Sequence, residues 1–286
     1  MKSKAVTEKV MQGVFFIAAC TSVLAVALIC IFLFANGIPA IREIGFVKFI
    51  TGDIWRPGNK LFGIFPMILG SIYVTGGALL IGVPVGILMS IFMARFCPDK
   101  LYRILKPIVD LLAGIPSIVY GFFGLVVLVP FIREHFKGNG NSILTASILL
   151  GIMILPTIIG VSESAIRAVE NSYYEGALAL GATHERSVFT VIVPAAKSGI
   201  LAGVVLGIGR AIGETMAVIM IVGNQPRLVS NMLLGMRTLT GNIVIEMGYA
   251  TGLHREALIA TGVVLFVFIL IINFSVALLK RRGEHE

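Results

Sequence analysis

Between Lys60 and Arg95 the chain reads LFGIFPMILGSIYVTGGALLIGVPVGILMSIFMA, residues 61–94 without one charged side chain. A helix needs roughly 20 apolar residues to cross the hydrocarbon core of a bilayer. Every backbone N–H and C=O at that depth must be bonded within the protein, so an uncharged run of this length reads as a spanning helix. Its glycines, Gly70, Gly76, Gly77, Gly82 and Gly86, recur at spacings that let a second helix approach closely.

Working outward, uncharged runs of similar kind lie between Lys9 and Arg42, Asp110 and Arg133, Lys137 and Glu163, and Glu256 and Lys280. A further one from Ser198 to Gly223 is interrupted only by Arg210 and Glu214, and carries Gly199, Gly203, Gly207, Gly209 and Gly213. With 57% hydrophobic and 13% charged residues the chain is too apolar for a soluble core. The fold class is an all-α integral membrane protein of six transmembrane helices. They are predicted over Val14 to Ala35, Ile64 to Ala94, Ile108 to Phe131, Ser142 to Ala165, Gly199 to Val222 and Leu258 to Leu279, within a membrane domain of residues 14–279 flanked by tails at 1–13 and 280–286. Pro66, Pro84, Pro116 and Pro156 fall at or inside spans, where they kink helices.

Lys2, Lys4 and Lys9 ahead of the first run resemble the start of a secretory signal, but the run is long and has no clear small-x-small cleavage site, which predicts a retained anchor. Cys20, Cys30 and Cys97 suggest no disulfide framework and are expected to be small buried hydrophobes. Six spans put both termini on one side, which holds 13 Lys and Arg residues against nine in the opposite loops. Because positive loops resist translocation, that side is predicted to be cytoplasmic. Basic loops facing anionic headgroups also account for the formal charge of +8 without nucleic acid. Two long joints, residues 37–63 and 224–257, have room for re-entrant or interfacial helices.

Between the fourth and fifth spans lies NSYYEGALALGATHERSVFTVIVP, residues 171–194. Ser172 and Glu175 have capping-box spacing, which predicts a short helix starting there. Ala177, Leu178 and Leu180 give it an apolar face, and Gly181 is placed to end it in a left-handed turn. A second piece runs from Glu185 to Val193 and Pro194. Such an L of two short helices suits insertion into a groove of a cytoplasmic partner; an amphipathic helix lying on the headgroups fits the same pattern.

Arg210 and Glu214 are the charged pair inside a span. A charge at mid-bilayer costs at least about 2.5 kcal/mol, so such residues face a bundle interior or a wet cavity. Their i, i+4 spacing predicts one shared helix face and allows a mutually neutralising salt bridge. The same two residues also suit an anion: arginine offers a planar fork of donors, and a carboxylate repels sulfate yet accepts from a proton-bearing oxygen of hydrogen phosphate. Thr215 and Ser117 are candidates to add hydroxyls.

The 171–194 segment resembles the EAA loop of bacterial ABC importer permeases, whose pattern is E-A-A, three residues, G, nine residues, I-x-L-P. Glu175, Gly176 and Ala177 match the triplet, Gly181 the glycine, and Val191, Val193 and Pro194 the ending, with Gly176 for alanine and two valines for isoleucine and leucine. The stretches LAGIPSIVYGFFGL (112–125), RAIGETM (210–216) and MGYATGLHREALIATGVVLF (247–266) are similar to phosphate importer permeases of the PstC type, from about Leu61 onward. The resemblance implies a type I importer permease bundle without cofactor, metal or catalytic residue of its own. It further implies a second, A-type permease as heterodimer partner, ATP-binding subunits, and an extracytoplasmic phosphate-binding protein docking on residues 37–63 and 224–257. Arg210 and Glu214 map onto the residues implicated in phosphate passage, Glu175 and Gly181 onto the coupling joint. Transport is then by alternating access, phosphate needing only a weak transient site in this chain.

The sequence lacks any G-K dipeptide, hence any G-x-x-x-x-G-K-[ST] loop, so ATP falls to another polypeptide. Rival readings are a permease for molybdate, tungstate or sulfate, an independent channel or secondary carrier, and a membrane-embedded enzyme. The last lacks H-E-x-x-H and G-x-S-x-G motifs, and His135, His184, His254 and His285 fall in predicted loops or tails.

Overall fold

The computed structural model describes residues 2–136 and 138–283; residues 284–286 of the predicted C-terminal tail lie outside them. Helix α1 (Lys2–Ile44) runs unbroken through the predicted N-terminal tail. The joint after it holds α2 (Phe46–Thr51) and a two-stranded hairpin, β1 (Trp55–Arg56) paired antiparallel with β2 (Leu61–Phe62). Then come α3 (Phe65–Ile91), α4 (Asp99–Gly114), α5 (Ser117–Phe123), α6 (Val129–Phe136) and α7 (Ile143–Arg167). The loop segment forms α8 (Asn171–Ala179), α9 (His184–Ser187) and α10 (Val193–Ala195). The chain closes with α11 (Lys197–Gly213), α12 (Met216–Ile221), α13 (Leu239–Met247) and α14 (Gly252–Gly283). Single π-turns at Phe92–Phe96, Gly124–Leu128 and Val188–Ile192 join neighbouring helices.

Among the described residues five helical stretches are long and apolar enough to cross a membrane: Val10–Ile44, Phe65–Phe96, Ser117–Phe136, Ile143–Arg167 and Gly252–Ser275. A sixth arises from His184–Ala195 and Lys197–Gly213, bent by 68° at their junction. That crossing is completed by α12, because the backbone N–H of Ser142, at the start of α7, donates to Ile221 O at 3.0 Å. The chain thus leaves α7 at one pole and returns beside its origin.

The third span departs from expectation. Pro116 supplies no N–H and drives Ile115 to an extended backbone (ψ 126°), so the helix stops at Gly114 and restarts at Ser117. The crossing is Ser117–Phe136, not Ile108 to Phe131, and α4 is a separate charged and apolar helix that packs Val109 beside Ile159 of α7. The hydroxyl of Tyr120 braces this elbow, donating to Leu112 O at 2.9 Å.

Helix α7 is the axis of the bundle. A Cβ on Gly82 would lie 2.9 Å from Gly151 O and one on Gly86 would lie 2.8 Å from Ile158, so α3 packs parallel to α7 with its glycines as the contact. On the other side Gly203 meets Ser162 and Gly207 meets Ile158, in antiparallel order. Both glycine-rich spans therefore press on the fourth, which is how backbones approach where lipid supplies no hydrophobic drive.

Two clusters mark the poles. At one, Ala40, Phe49, Trp55, Phe62, Ile64, Met67, Leu239, Ala257 and Leu258 join the end of α1 to the starts of α3 and α14. At the other, Ile91, Ile166, Val188, Ile192, Ala196 and Ile200 join the ends of α3 and α7 to the loop segment. α1 packs antiparallel on α14, Gly37 against Ala260 and Val263, so both chain ends project toward the second pole. α1 makes this contact through its second half, leaving residues 10–29 exposed. That corrects the expectation for the cysteines: Cys20 is exposed, and Cys30 and Cys97 are half-buried free thiols.

Candidate substrate pathway and coupling loop

The predicted shared face of Arg210 and Glu214 does not form. α11 ends at Gly213, Glu214 takes an extended backbone (φ −69°, ψ 126°), and α12 begins two residues later. Local side-chain bonds compete with the helix here. Glu214 Oε1 accepts from the N–H of Thr215 at 3.1 Å and of Ala217 at 3.2 Å, and the Thr215 hydroxyl donates to Gly213 O at 3.2 Å. The carboxylate thereby satisfies donors that a helix start leaves unpaired. Both bonds fall on Oε1. Among the described residues Arg210 and Glu214 make no ion pair; Arg210 turns to α7, donating from Nη1 to Thr157 Oγ1 at 3.1 Å.

Ser117 opens α5, which packs parallel to α12, with Gly121 against Ala217 and Met220 and Gly124 against Ile221. One turn earlier, this register brings Ser117 to the level of the Glu214 break. Glu214 and Thr215 thus sit together at the break, Arg210 lies one turn before them with its side chain on α7, and Ser117 shares the level of the break. The side they present is open: a Cβ on Gly160 of α7, or on Gly209 or Gly213 of α11, would meet nothing within 4 Å. Thr157 was not expected. An acidic residue just ahead of the apolar run 216–221 is a helix-start signal that marks the break, whereas nothing in sequence separates Thr157 from other hydroxyls in spans.

Toward the first pole the joint 224–257 folds inward. The N–H of Leu239 donates to Ser71 Oγ at 2.9 Å, the N–H of Met236 to Val222 O at 3.0 Å, and the Thr240 hydroxyl reaches Glu214 O at 3.5 Å. Residues 236–241 so lie across the bundle between α3 and α12. Glu246 of α13 ties this joint to its neighbours. It is 6% exposed and accepts from Trp55 Nε1 at 2.9 Å and from Arg237 Nη1, with His254 Nε2 at 2.8 Å. Burial disfavours its charge, but these hydrogen bonds and the Arg237 cation outweigh that and hold its carboxyl below the usual glutamate range.

At the second pole the loop segment is an L of two helical pieces. α8 starts at Asn171, one residue before expectation, and the capping box is absent: Ser172 donates to Glu170 Oε2, and Glu175 accepts from Asn171 Nδ2 at 2.6 Å. Glu170 stands at the cap position, so Ser172 lies inside the first turn, out of position to cap. The end matches expectation. Gly181 has φ +86°, with Gly181 N–H donating to Leu178 O at 2.9 Å and Ala182 N–H to Ala177 O at 3.1 Å, a Schellman closure. Thr183 caps the second piece, and the Tyr174 hydroxyl lies 2.8 Å from His184 Nδ1, folding the two together. Gly176 and Ala177 lie on α8 and Pro194 on α10, just before the 68° bend. Leu180 at the tip is 91% exposed and Tyr173 56%. Behind the L, a buried Glu163 accepts from Tyr102, Lys106 and Arg167, the last lying at i, i+4 and also bonding Met93 O.

Residues 82–284 match the family of binding-protein-dependent transport system inner membrane components. The chain belongs to that family. Over 277 residues it is 39% identical to a probable ABC transporter permease protein, YqgH, of Bacillus subtilis, covering 92% of this chain and 89% of the relative. It is 34% identical to the phosphate transport system permease protein PstC of Mesorhizobium japonicum, covering 94% and 88%, and 34% identical to a probable PstC of Methanocaldococcus jannaschii, covering 89% and 88%. Similar folds are found in a bacterial ABC transporter that imports alginate (TM-score 0.61, 17% identity, 93% and 96% covered) and in inward-facing forms of the methionine transporter MetNI (TM-score 0.58, 23% identity, 80% and 99% covered). The six-crossing bundle is thus that of an ABC importer permease, and the likeness to relatives reaches beyond the stretch from Leu61 that carried the resemblance.

Proposed function

We propose that this permease is the transmembrane subunit of an ATP-driven importer of inorganic phosphate. The observation that carries the reading is Arg210, a cation within a bilayer crossing that is free of an acidic partner among the described residues and stands beside an open side of the bundle. The extensive identity to permeases named for phosphate transport supports the cargo. Arg210 donates to phosphate oxygens, while the unengaged oxygen of Glu214 accepts from a protonated phosphate oxygen and repels fully ionised sulfate. Thr215 and Ser117 contribute hydroxyls at the same level.

In this reading the pole holding both chain ends is cytoplasmic, in line with its excess of Lys and Arg, and the membrane is the bacterial inner membrane. Residues 172–194 dock on an ATP-binding subunit through Tyr173, Leu178 and Leu180, with Glu175 and Gly181 at the joint. A second, A-type permease completes the pathway, and an extracytoplasmic phosphate-binding protein seats on residues 37–63 and 224–257. ATP-driven closure of the motor is carried to the Arg210 level by α11, and residues 236–241 part to admit phosphate.

Glu214→Gln tests the site. Assembled with its partners, the variant should lose most phosphate uptake while ATPase stimulation by the loaded binding protein persists; uptake at the parental rate would remove Glu214 from the pathway.

A further inference from the structure

Helical serine and threonine hydroxyls usually return their proton to the carbonyl four residues back. This chain follows that habit at Thr21, Ser22, Thr51, Ser164, Ser187, Thr190, Thr261 and Ser275. Thr157 does not. Its oxygen accepts from Arg210 Nη1 at 3.1 Å, and among the described residues its own proton has no acceptor. The hydroxyl is half-buried, one turn from Gly160, whose missing side chain leaves the adjacent side open. A hydroxyl beside a guanidinium, with its acceptor lone pair used and its proton unspent, is a donor in want of an oxyanion.

We propose that Thr157 is a substrate ligand: it holds the guanidinium of Arg210 across the α7–α11 seam and gives its own proton to an oxygen of the phosphate that Arg210 binds. The inference rests on the proposed pathway and adds to it. Beside the hydroxyls of Thr215 and Ser117, it gives the site a converging pair of donors from two helices and one acceptor, Glu214, that together select an anion bearing both ionised and protonated oxygens. It also couples the site to motion, because α7 and α11 must keep their register at this level for the two donors to converge.

The test uses the complete importer in proteoliposomes, with inorganic phosphate, its binding protein and ATP. Thr157→Val removes the hydroxyl at nearly constant volume and is expected to lower the maximal uptake rate about ten-fold, the worth of one hydrogen bond to a charged group. Thr157→Ser should restore at least half the rate. In an Arg210→Met background Thr157→Val should cost less than two-fold more, since the two act as one unit. Parental uptake by Thr157→Val, or a Thr157→Ser no better than Thr157→Val, overturns the proposal. If Thr157→Val fails to assemble with its partners, Thr157→Ala and Thr157→Ser decide by the same comparison. Full uptake by Arg210→Met would instead sink the pathway reading itself, so the two failures are distinguishable.

Discussion

Single residues here divide into those whose chemistry is written in their type and those whose neighbours decide it. Arg210 and Glu214 are conspicuous in sequence because a charge inside an apolar run is costly. Their i, i+4 spacing misled, because a glycine and a capping carboxylate stopped the helix between them. Thr157 carries no such flag; only the cation across the seam distinguishes it. Glu246 is a further case: its sequence context is a loop, yet it binds Trp55, Arg237 and His254 from three segments. Its depressed folded pKa means that its contribution to stability is full above the unfolded glutamate value, about 4.3, and is lost as pH falls through the lower folded value. Thermal unfolding of the protein against pH should therefore show a loss of stability on acidification that Glu246→Gln flattens. The same variant should be less stable at neutral pH by roughly 3 kcal/mol, because Arg237 is left largely buried without its counter-charge. An unchanged acid limb would place the titration elsewhere.

Individual helices were legible where apolar runs are long and ambiguous where they are interrupted. The fourth crossing was foreseen nearly to its ends, because Ser142 caps it and an uncharged run fills it as far as Glu163. The third moved, because Pro116 acts locally whereas an apolar count does not resolve one residue. The loop helix α8 was foreseen at its end, by Gly181, and not at its start. Two predictions belong to this scale. Gly181→Ala forces a side chain into the left-handed region and should cost about 1 kcal/mol, read as a fall of a few degrees or less in unfolding midpoint together with weaker capture of the ATP-binding subunit. Leu180→Glu should leave the unfolding midpoint within a degree or so, since the side chain is 91% exposed and burial changes little. It should nonetheless abolish co-purification of the ATP-binding subunit, by setting a charge where the apolar tip meets its groove. Retained capture by Leu180→Glu would move the docking surface off α8.

As a whole the molecule is a bundle around α7, with an apolar core along that helix, apolar clusters at both poles and the Arg210 level beside the core. The membrane class and the number of crossings followed from composition and run length alone. The neighbours of each helix did not, although the glycine spacings of the second and fifth crossings anticipated that both would be close-packed. What the fold adds is direction: α3 and α7 run together, α11 returns between the coupling loop and the Arg210 level, and the segment 236–241 closes over the far end. Under the proposed function, a motor docked on residues 172–194 would be joined through α11 to the Arg210 level. The most direct measurement is phosphate uptake by proteoliposomes that hold the complex purified through a tag on this chain, with binding protein in excess. The account predicts accumulation only with ATP and an ATP-binding subunit present, abolished by Leu180→Glu and by Arg210→Met. Accumulation by this chain without an ATP-binding subunit, or none with every partner present, would contradict it.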